Sequence, residues 1–235
     1  MYGRCRSAGK QCYTRSVRYD SKHKAGTRLR LLTEAAILLR EGGPDGLSVA
    51  TLMRRQGLTH GGFYAHFESK DDLIDQAIDA MFDKTCERFT ARTRGLKPVE
   101  ALFAYVDYYL SPAHINRPGQ GCPVPACAGD VARLGADARR HFEAGVARLQ
   151  GLIADTFRMA GLNSADAASE AASLLGRLAG TVVMARSLKS QGAQAHIVHA
   201  ARLGIERDLG RLPHTAPDLA SMLGQDLRPH LPDGI

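Results

Sequence analysis

Between Lys22 and Leu209 the apolar residues recur at helical spacing, and no run argues for a strand. Leu29, Leu32, Ala36 and Leu39 share one face and predict a first helix over about 22–41, stopped by Gly42-Gly43-Pro44. Ser48 has the oxygen an N-cap needs, and Val49, Leu52 and Met53 give the next helix an apolar stripe, with Arg54, Arg55 and Gln56 pointing elsewhere. Gly57 closes that helix, because glycine takes the left-handed conformation that lets a chain reverse. Leu58 is expected to plug the angle, and Thr59 to cap a short helix whose clear core residues are Phe63 and Phe67, at i and i+4. Ser69 then caps a longer helix reaching about Arg94. Asp71 and Asp72 suit its first turn, and Leu73, Ile74, Ala77, Ile78, Met81, Phe82 and Phe89 keep it amphipathic.

The short helix leaves Thr59, His60, Gly61, Gly62, Tyr64 and His66 outside, with Lys70 just beyond. Two adjacent glycines weaken a helix by roughly 1 kcal/mol each relative to alanine, so they point to close backbone approach by a partner. A DNA major groove is such a partner. Two short helices around a tight turn, then Gly57-Leu58-Thr59, Phe63-Tyr64-x-His66-Phe67 and Lys70 followed by Asp71 and Asp72, resemble the helix-turn-helix domain of the tetracycline-repressor (TetR) family. The motif resemblance covers about Lys22 to Phe82 and is architectural beyond. Gln56 stands where the family usually has a small or apolar residue. Gly62 stands where it often has a threonine able to bond a phosphate, which removes one expected contact.

The resemblance implies an all-α protein, with an N-terminal helix-turn-helix DNA-binding domain and a C-terminal helical ligand-binding and dimerisation domain. It implies that Thr59, His60 and Gly61 approach base edges, while Tyr64, His66 and Lys70 hold phosphates. His66 bonding within the domain is the alternative. Ser48 is counted with the DNA-contacting residues, as are Lys22, Lys24 and Arg28 at the basic end of the first helix. Screened surface charge is the other reading of those three.

Charge placement supports a polyanionic partner. The chain carries a formal +7, yet residues 1–70 hold 13 Lys+Arg against 5 Asp+Glu, while residues 71–235 hold 18 against 19. Leaving out residues 1–16, with four basic and no acidic residues, does not abolish the asymmetry. Those sixteen residues show no helical period. Either they do not belong to the natural product, with translation starting at Val17, or they form a basic arm tracking a DNA backbone or minor groove. The 235 residues are 44% apolar, with neither an apolar leader nor a membrane span, so a cytoplasmic protein is expected. Five cysteines, an odd number, do not read as a secreted disulfide framework.

The expected organisation is a leader over 1–16, the DNA-binding domain over 17–70, a connecting helix over 71–94 acting as a lever, an effector-binding and dimerisation domain over 95–212, and a proline-containing tail of little period over 213–235. Within the fourth of these, 98–110 is aromatic-rich. Phe103, Tyr105, Tyr108 and Tyr109 either pack a core or line an effector pocket with tyrosine hydroxyls. Cys122 and Cys127 in the loop 111–130 are either small buried hydrophobes or pocket thiols, Cys122 activated by a helix opening at Pro123 or Pro125. A further helix is expected over 136–160, and a last pair over 165–189 and 193–209. That pair is rich in alanine and glycine, with Ala171, Leu174, Leu178, Val182, Ile197, Ala201 and Ile205 assigned to a homodimer interface. His196 and His199 are either a metal pair lacking a third ligand or surface residues, and neither a metal nor a cofactor is expected. Phosphate-cradling glycine loops, His-Glu-x-x-His and Gly-x-Ser-x-Gly do not occur, and no enzyme activity is expected.

Two classes of function follow. One is a dimeric repressor released from a palindromic double-stranded DNA operator by a small-molecule effector, electrophiles and oxidants included. The other is a thiol redox enzyme working through Cys122 and Cys127. A regulator without any effector is a third, weaker reading.

Overall fold

The computed structural model describes residues 9–212, with side chains from His23 onward. The lysine at position 22 is therefore placed by its backbone alone, and the tail expected over 213–235 lies outside the described residues. Nine α-helices and two 3-10 turns make up the described chain: α1 (Gly9–Gly46), α2 (Val49–Arg55), a 3-10 turn (His60–Ala65), α3 (Lys70–Thr93), α4 (Pro98–Tyr109), α5 (Pro112–Ile115), a second 3-10 turn (Pro118–Gln120), α6 (Val124–Val131), α7 (Ala136–Met159), α8 (Ser164–Ser187) and α9 (Gln191–Leu209). The expected all-α class holds, and no described residue lies in a strand.

Helix ends follow local chemistry. Within the described residues α1 runs from Gly9, and Gly9–Ser16 contain no proline to interrupt it, so the lack of an apolar period there did not preclude a helix. Gly43 breaks α1 with φ 64° and ψ −167°, at the predicted Gly42-Gly43-Pro44 stop. Ser48 Oγ accepts from the Thr51 N–H at 3.4 Å. At the other end of α2, Gly57 has φ 69°, the Leu58 N–H bonds the Met53 carbonyl at 2.9 Å, and the Gly57 N–H bonds that of Arg54 at 3.1 Å. α3 opens with Ser69 Oγ accepting from the Asp72 N–H at 3.0 Å, while the Asp72 carboxylate accepts from the Glu68 N–H at 2.9 Å.

The chain partitions differently from the expected linear order. One compact unit comprises the described residues through Lys84 together with Arg117–Gly145, and the other comprises Thr85–Asn116 and the described residues from Val146. In the first, Leu31, Leu39, Leu52, Phe63, Phe67, Leu73, Ile78 and Phe82 are buried; Leu29, assigned above to the inner face of α1, is 65% exposed. The inner stripe of α1 runs instead through Leu31, Ala35, Leu38 and Leu39. Gly145 is required here, because an added Cβ would lie 2.1 Å from the Phe82 ring. In the second unit, Leu102, Val106, Leu149, Ile153, Leu174, Leu178, Val182 and Ile205 form the core. Arg186 ties α8 to α5 by donating to the Ile115 and His114 carbonyls, both at 2.9 Å. No described helix is long and apolar enough to cross a membrane.

Candidate nucleic-acid interface

The 3-10 turn His60–Ala65 carries the predicted reading surface. Its tight winding follows from Gly61-Gly62, which remove the side-chain packing that would hold a regular α-helical turn, and the Gly62 N–H bonds the Thr59 carbonyl at 3.0 Å. The Thr59 side chain makes no capping bond, contrary to expectation, so its hydroxyl is directed elsewhere and Thr59 is exposed. Phe63 and Phe67 anchor the turn from below, 1% and 2% exposed, with ring centroids 5.5 Å apart. The anchors leave Thr59, His60, Gly61 and Ala65 exposed, and Tyr64 67% exposed. A polar ridge results, seated on two buried aromatic rings.

The basic end of α1 lies beside this ridge. His66 is half-buried, and burial first, then the positive charges of Lys24 and Arg28, hold its pKa below the ordinary 6.5. Its Nδ1 is buried and has no hydrogen-bond partner among the described residues. The lowered basicity makes His66 a poorer phosphate clamp, and the alternative of bonding within the domain is not met at Nδ1. Arg28 is likewise spoken for in part: its guanidinium donates to the Gln76 side chain and lies 5.1 Å over the Phe67 ring. Lys24 is exposed. Lys70 is exposed too, with its ammonium donating to the Pro44 carbonyl at 2.9 Å. Ser48 caps α2 at the surface. The structure thus gathers Lys24, Arg28 and His66 beside the ridge that carries Tyr64, whose ring meets Phe63 edge-on at 5.3 Å between centroids while Tyr64 as a whole stays 67% exposed.

The six predicted pocket residues do not form one lining. Tyr105 and Tyr109 are 1% and 0% exposed in an edge-to-face stack with Phe89, at centroid separations of 4.8 and 5.6 Å. Tyr108 is half-buried beneath the Arg92 guanidinium, 3.9 Å from its ring, and Phe103 is half-buried. Cys122 and Cys127 belong to the other compact unit, both 2% exposed. Cys122 does precede α6, which opens at Val124 with Pro123 as its N-cap, but burial deprives both thiols of contact with solvent. The second unit has a cavity of about 460 Å³ elsewhere, walled by Phe157, Leu174, Ile205 and Leu212 with Arg177 and Asp208 at its rim, and none of the six lines it.

Five of the seven residues assigned to a dimer interface face inward. Ala171, Leu174, Leu178, Val182 and Ile205 are at most 3% exposed within a single chain, and Ile197 and Ala201 are half-buried. α8 and α9 therefore spend that stripe on each other and on the rest of their unit. Their other side exposes Ala172, Gly176, Gly180 and Ala200 together with Val183, Met184 and Leu203. Small residues lie on both sides, Ala167, Ala171, Ala179 and Ala185 buried within the chain and Ala172, Gly176 and Gly180 outside, so the alanine and glycine content does not by itself say which side a second subunit would meet. His196 and His199 are exposed on α9, and no group of three metal-ligating side chains occurs among the described residues.

Comparison with known proteins bears on this architecture. Residues 31–77 match the family model described as bacterial regulatory proteins, tetR family. The chain belongs to the TetR family. Residues 98–198 match a second model, the C-terminal domain of LmrA/YxaF-like transcriptional regulators. Among curated TetR-family proteins, the HTH-type transcriptional repressor KstR2 of Rhodococcus jostii is 33% identical over 64 residues, 27% of this chain and 31% of that repressor's length. A TetR regulator from Chloroflexus aurantiacus superposes over 81% of this chain and 98% of its own at 24% identity and a TM-score of 0.70. The reduced form of Escherichia coli NemR does so over 80% and 100% at 17% identity and 0.68. These two likenesses establish the fold: a TetR-type helix-turn-helix followed by a helical domain.

Proposed function

We propose that this TetR-family regulator is a homodimeric repressor that reads a palindromic operator and is released from it by a small molecule. The observation that carries the reading is the ridge at His60–Ala65, where Tyr64 stands 67% exposed on a base of buried phenylalanines and Lys24 adds positive charge near His66. A polar, glycine-containing ridge left exposed among the described residues suits a major groove, with Thr59, His60 and Gly61 toward base edges and Tyr64, Lys24 and Lys70 toward phosphates. Two such ridges about one helical turn apart, roughly 34 Å, would read two half-sites. The exposed outer face of α8 and α9 supports pairing of subunits. An effector bound in the second unit would act by changing the separation of the two ridges, with α3 as the connecting lever. Burial of Cys122 and Cys127 leaves the thiol-enzyme reading without an exposed nucleophile and favours the regulator.

The test is a fluorescence-anisotropy titration against DNA upstream of the protein's own gene and against operator sequences selected from random DNA, at two salt concentrations with scrambled competitor. Binding that survives the competitor and weakens about tenfold or more in Tyr64→Ala supports the reading. Binding indifferent to sequence and to Tyr64 sinks it.

A further inference from the structure

Arg117–Val131 lies far along the chain from the reading ridge, yet it belongs to the same compact unit and grips the last two turns of α1 at four places. Arg40, 8% exposed, donates from Nη1 to the Gly119 carbonyl at 2.9 Å and to its own Ala36 carbonyl at 3.2 Å. Gly119 is buried, and a Cβ there would lie 2.6 Å from Glu41 Oε1 and 3.0 Å from Ile37 Cγ2, so the Pro118–Gln120 turn touches α1 with its backbone. Cys127 Sγ lies 4.0 Å from the Leu39 carbonyl. At the break in α1, a Cβ on Gly43 would meet Asp130 Oδ2 at 2.6 Å. The same break is held from the other side, where Lys70, first residue of α3, bonds the Pro44 carbonyl at 2.9 Å.

We infer that Gly119 and Arg40 are positioning residues for operator recognition: the Arg117–Val131 segment clamps the end of α1 and thereby sets the angle at which the His60–Ala65 ridge is presented. The inference rests on the DNA-reading function proposed above and adds its control point. The clamped stretch Ile37–Gly43 immediately precedes the break after which α2 and the ridge begin. A shift there is carried to the ridge, because interiors are close-packed and deform as units. Asn116, the residue directly before the clamp, belongs to the other compact unit, so the clamp is the first structure met on the chain's return to the reading unit. None of the clamp residues is on the ridge. Their effect is therefore on specific reading and not on the attraction of basic side chains for phosphate.

The experiment compares Gly119→Ala with Gly129→Ala, a control in α6 where an added Cβ meets nothing within 4 Å. Full-length proteins are titrated with selected operator and with scrambled DNA at two salt concentrations, and helicity is followed by circular dichroism. The expected result is a loss of about tenfold in operator affinity for Gly119→Ala, with unchanged scrambled-DNA affinity and salt slope, and parent behaviour for Gly129→Ala. Parent-like operator binding by a folded Gly119→Ala overturns the inference, as does an equal loss on both DNAs. Should Gly119→Ala lose its helicity, Arg40→Lys keeps the charge but shortens the reach to Gly119. It must then lower the operator-to-scrambled ratio, and an unchanged ratio overturns the inference. Failure of the parent to prefer any operator is a different result, and condemns the DNA-reading function itself.

Discussion

The ridge at His60–Ala65 and the outer face of α8 and α9 are both surfaced by residues too small to bury much, but their surroundings differ. Gly61 in the ridge, and Gly176 and Gly180 on α8, have nothing within 4 Å of an added Cβ. Around Gly61 stand Thr59, His60 and Tyr64, polar and exposed; around Gly176 and Gly180 stand Ala172, Val183 and Met184, apolar and exposed. Gly119 and Gly145 are a third kind, where a Cβ would lie 2.6 Å from Glu41 and 2.1 Å from Phe82. Fold requirements account for the last two and not for the first three. Gly129 is equally open, so room for a Cβ does not by itself mark an interface, and the neighbours of Gly61, Gly176 and Gly180 decide the reading. Polar neighbours suit a nucleic acid, and apolar neighbours suit a second subunit.

That contrast can be broken most forcefully at the apolar face. Met184 is 55% exposed, so Met184→Glu should leave the fold of a protomer within about 0.5 kcal/mol of the parent. It should nevertheless convert dimer to monomer in sedimentation and weaken operator binding by about 100-fold, because two linked reading heads become one. A variant that stays dimeric removes this face from the interface. The glycines themselves give the next largest effect. Gly145→Ala forces a carbon against the Phe82 ring and should destabilise the protein by about 3 kcal/mol in urea unfolding. Gly61→Ala should leave it unchanged or up to about 1 kcal/mol more stable, while weakening operator binding. Equal effects at the two positions would erase the distinction between needed and unneeded glycines.

The smallest effect concerns His66, which separates the packed base of the ridge from its reading surface. Its pKa is held below 6.5 by burial, then by Lys24 and Arg28, so the unfolded chain takes up this proton at higher pH than the folded one. Between the two values the unfolded state binds more protons, and stability rises with pH there. His66 therefore disfavours unfolding least at acid pH: stability should be fullest above 6.5 and decline as pH falls toward the folded value. Urea midpoints at pH 7.5 and 5.5 should show a smaller acid loss in His66→Gln than in the parent. An unchanged acid loss would mean that the ring is not held neutral.

Much of the fold was legible because its signals are local. The Ser48 and Ser69 caps and the reversal at Gly57 depend on hydrogen bonds spanning at most five residues, and the stop at Gly42-Gly43-Pro44 on the backbone conformation of Gly43 itself. The ridge was legible for the same reason, since Phe63 and Phe67 at i and i+4 assign its two sides. Leu29 was misassigned because a stripe of four apolar residues fits two neighbouring faces of a helix, and only Leu31, Ala35 and Leu38 packing below decides between them. The stripe assigned on α8 is core because spacing groups residues into faces without saying what each face meets.

The sequence by itself determined the ends of α2 and the start of α3, which motif follows Ser48, and where the positive charge lies, since each is written within one or two turns of chain. Only the tertiary structure decided that Arg117–Gly145 joins the reading unit, that Cys122 and Cys127 are sealed from solvent, and that Leu174, Leu178 and Val182 are core. Those outcomes depend on contacts such as Arg40 with Gly119, 79 residues apart, for which no periodicity exists to announce the partner. Close packing selects among faces and partners that local propensity leaves equivalent.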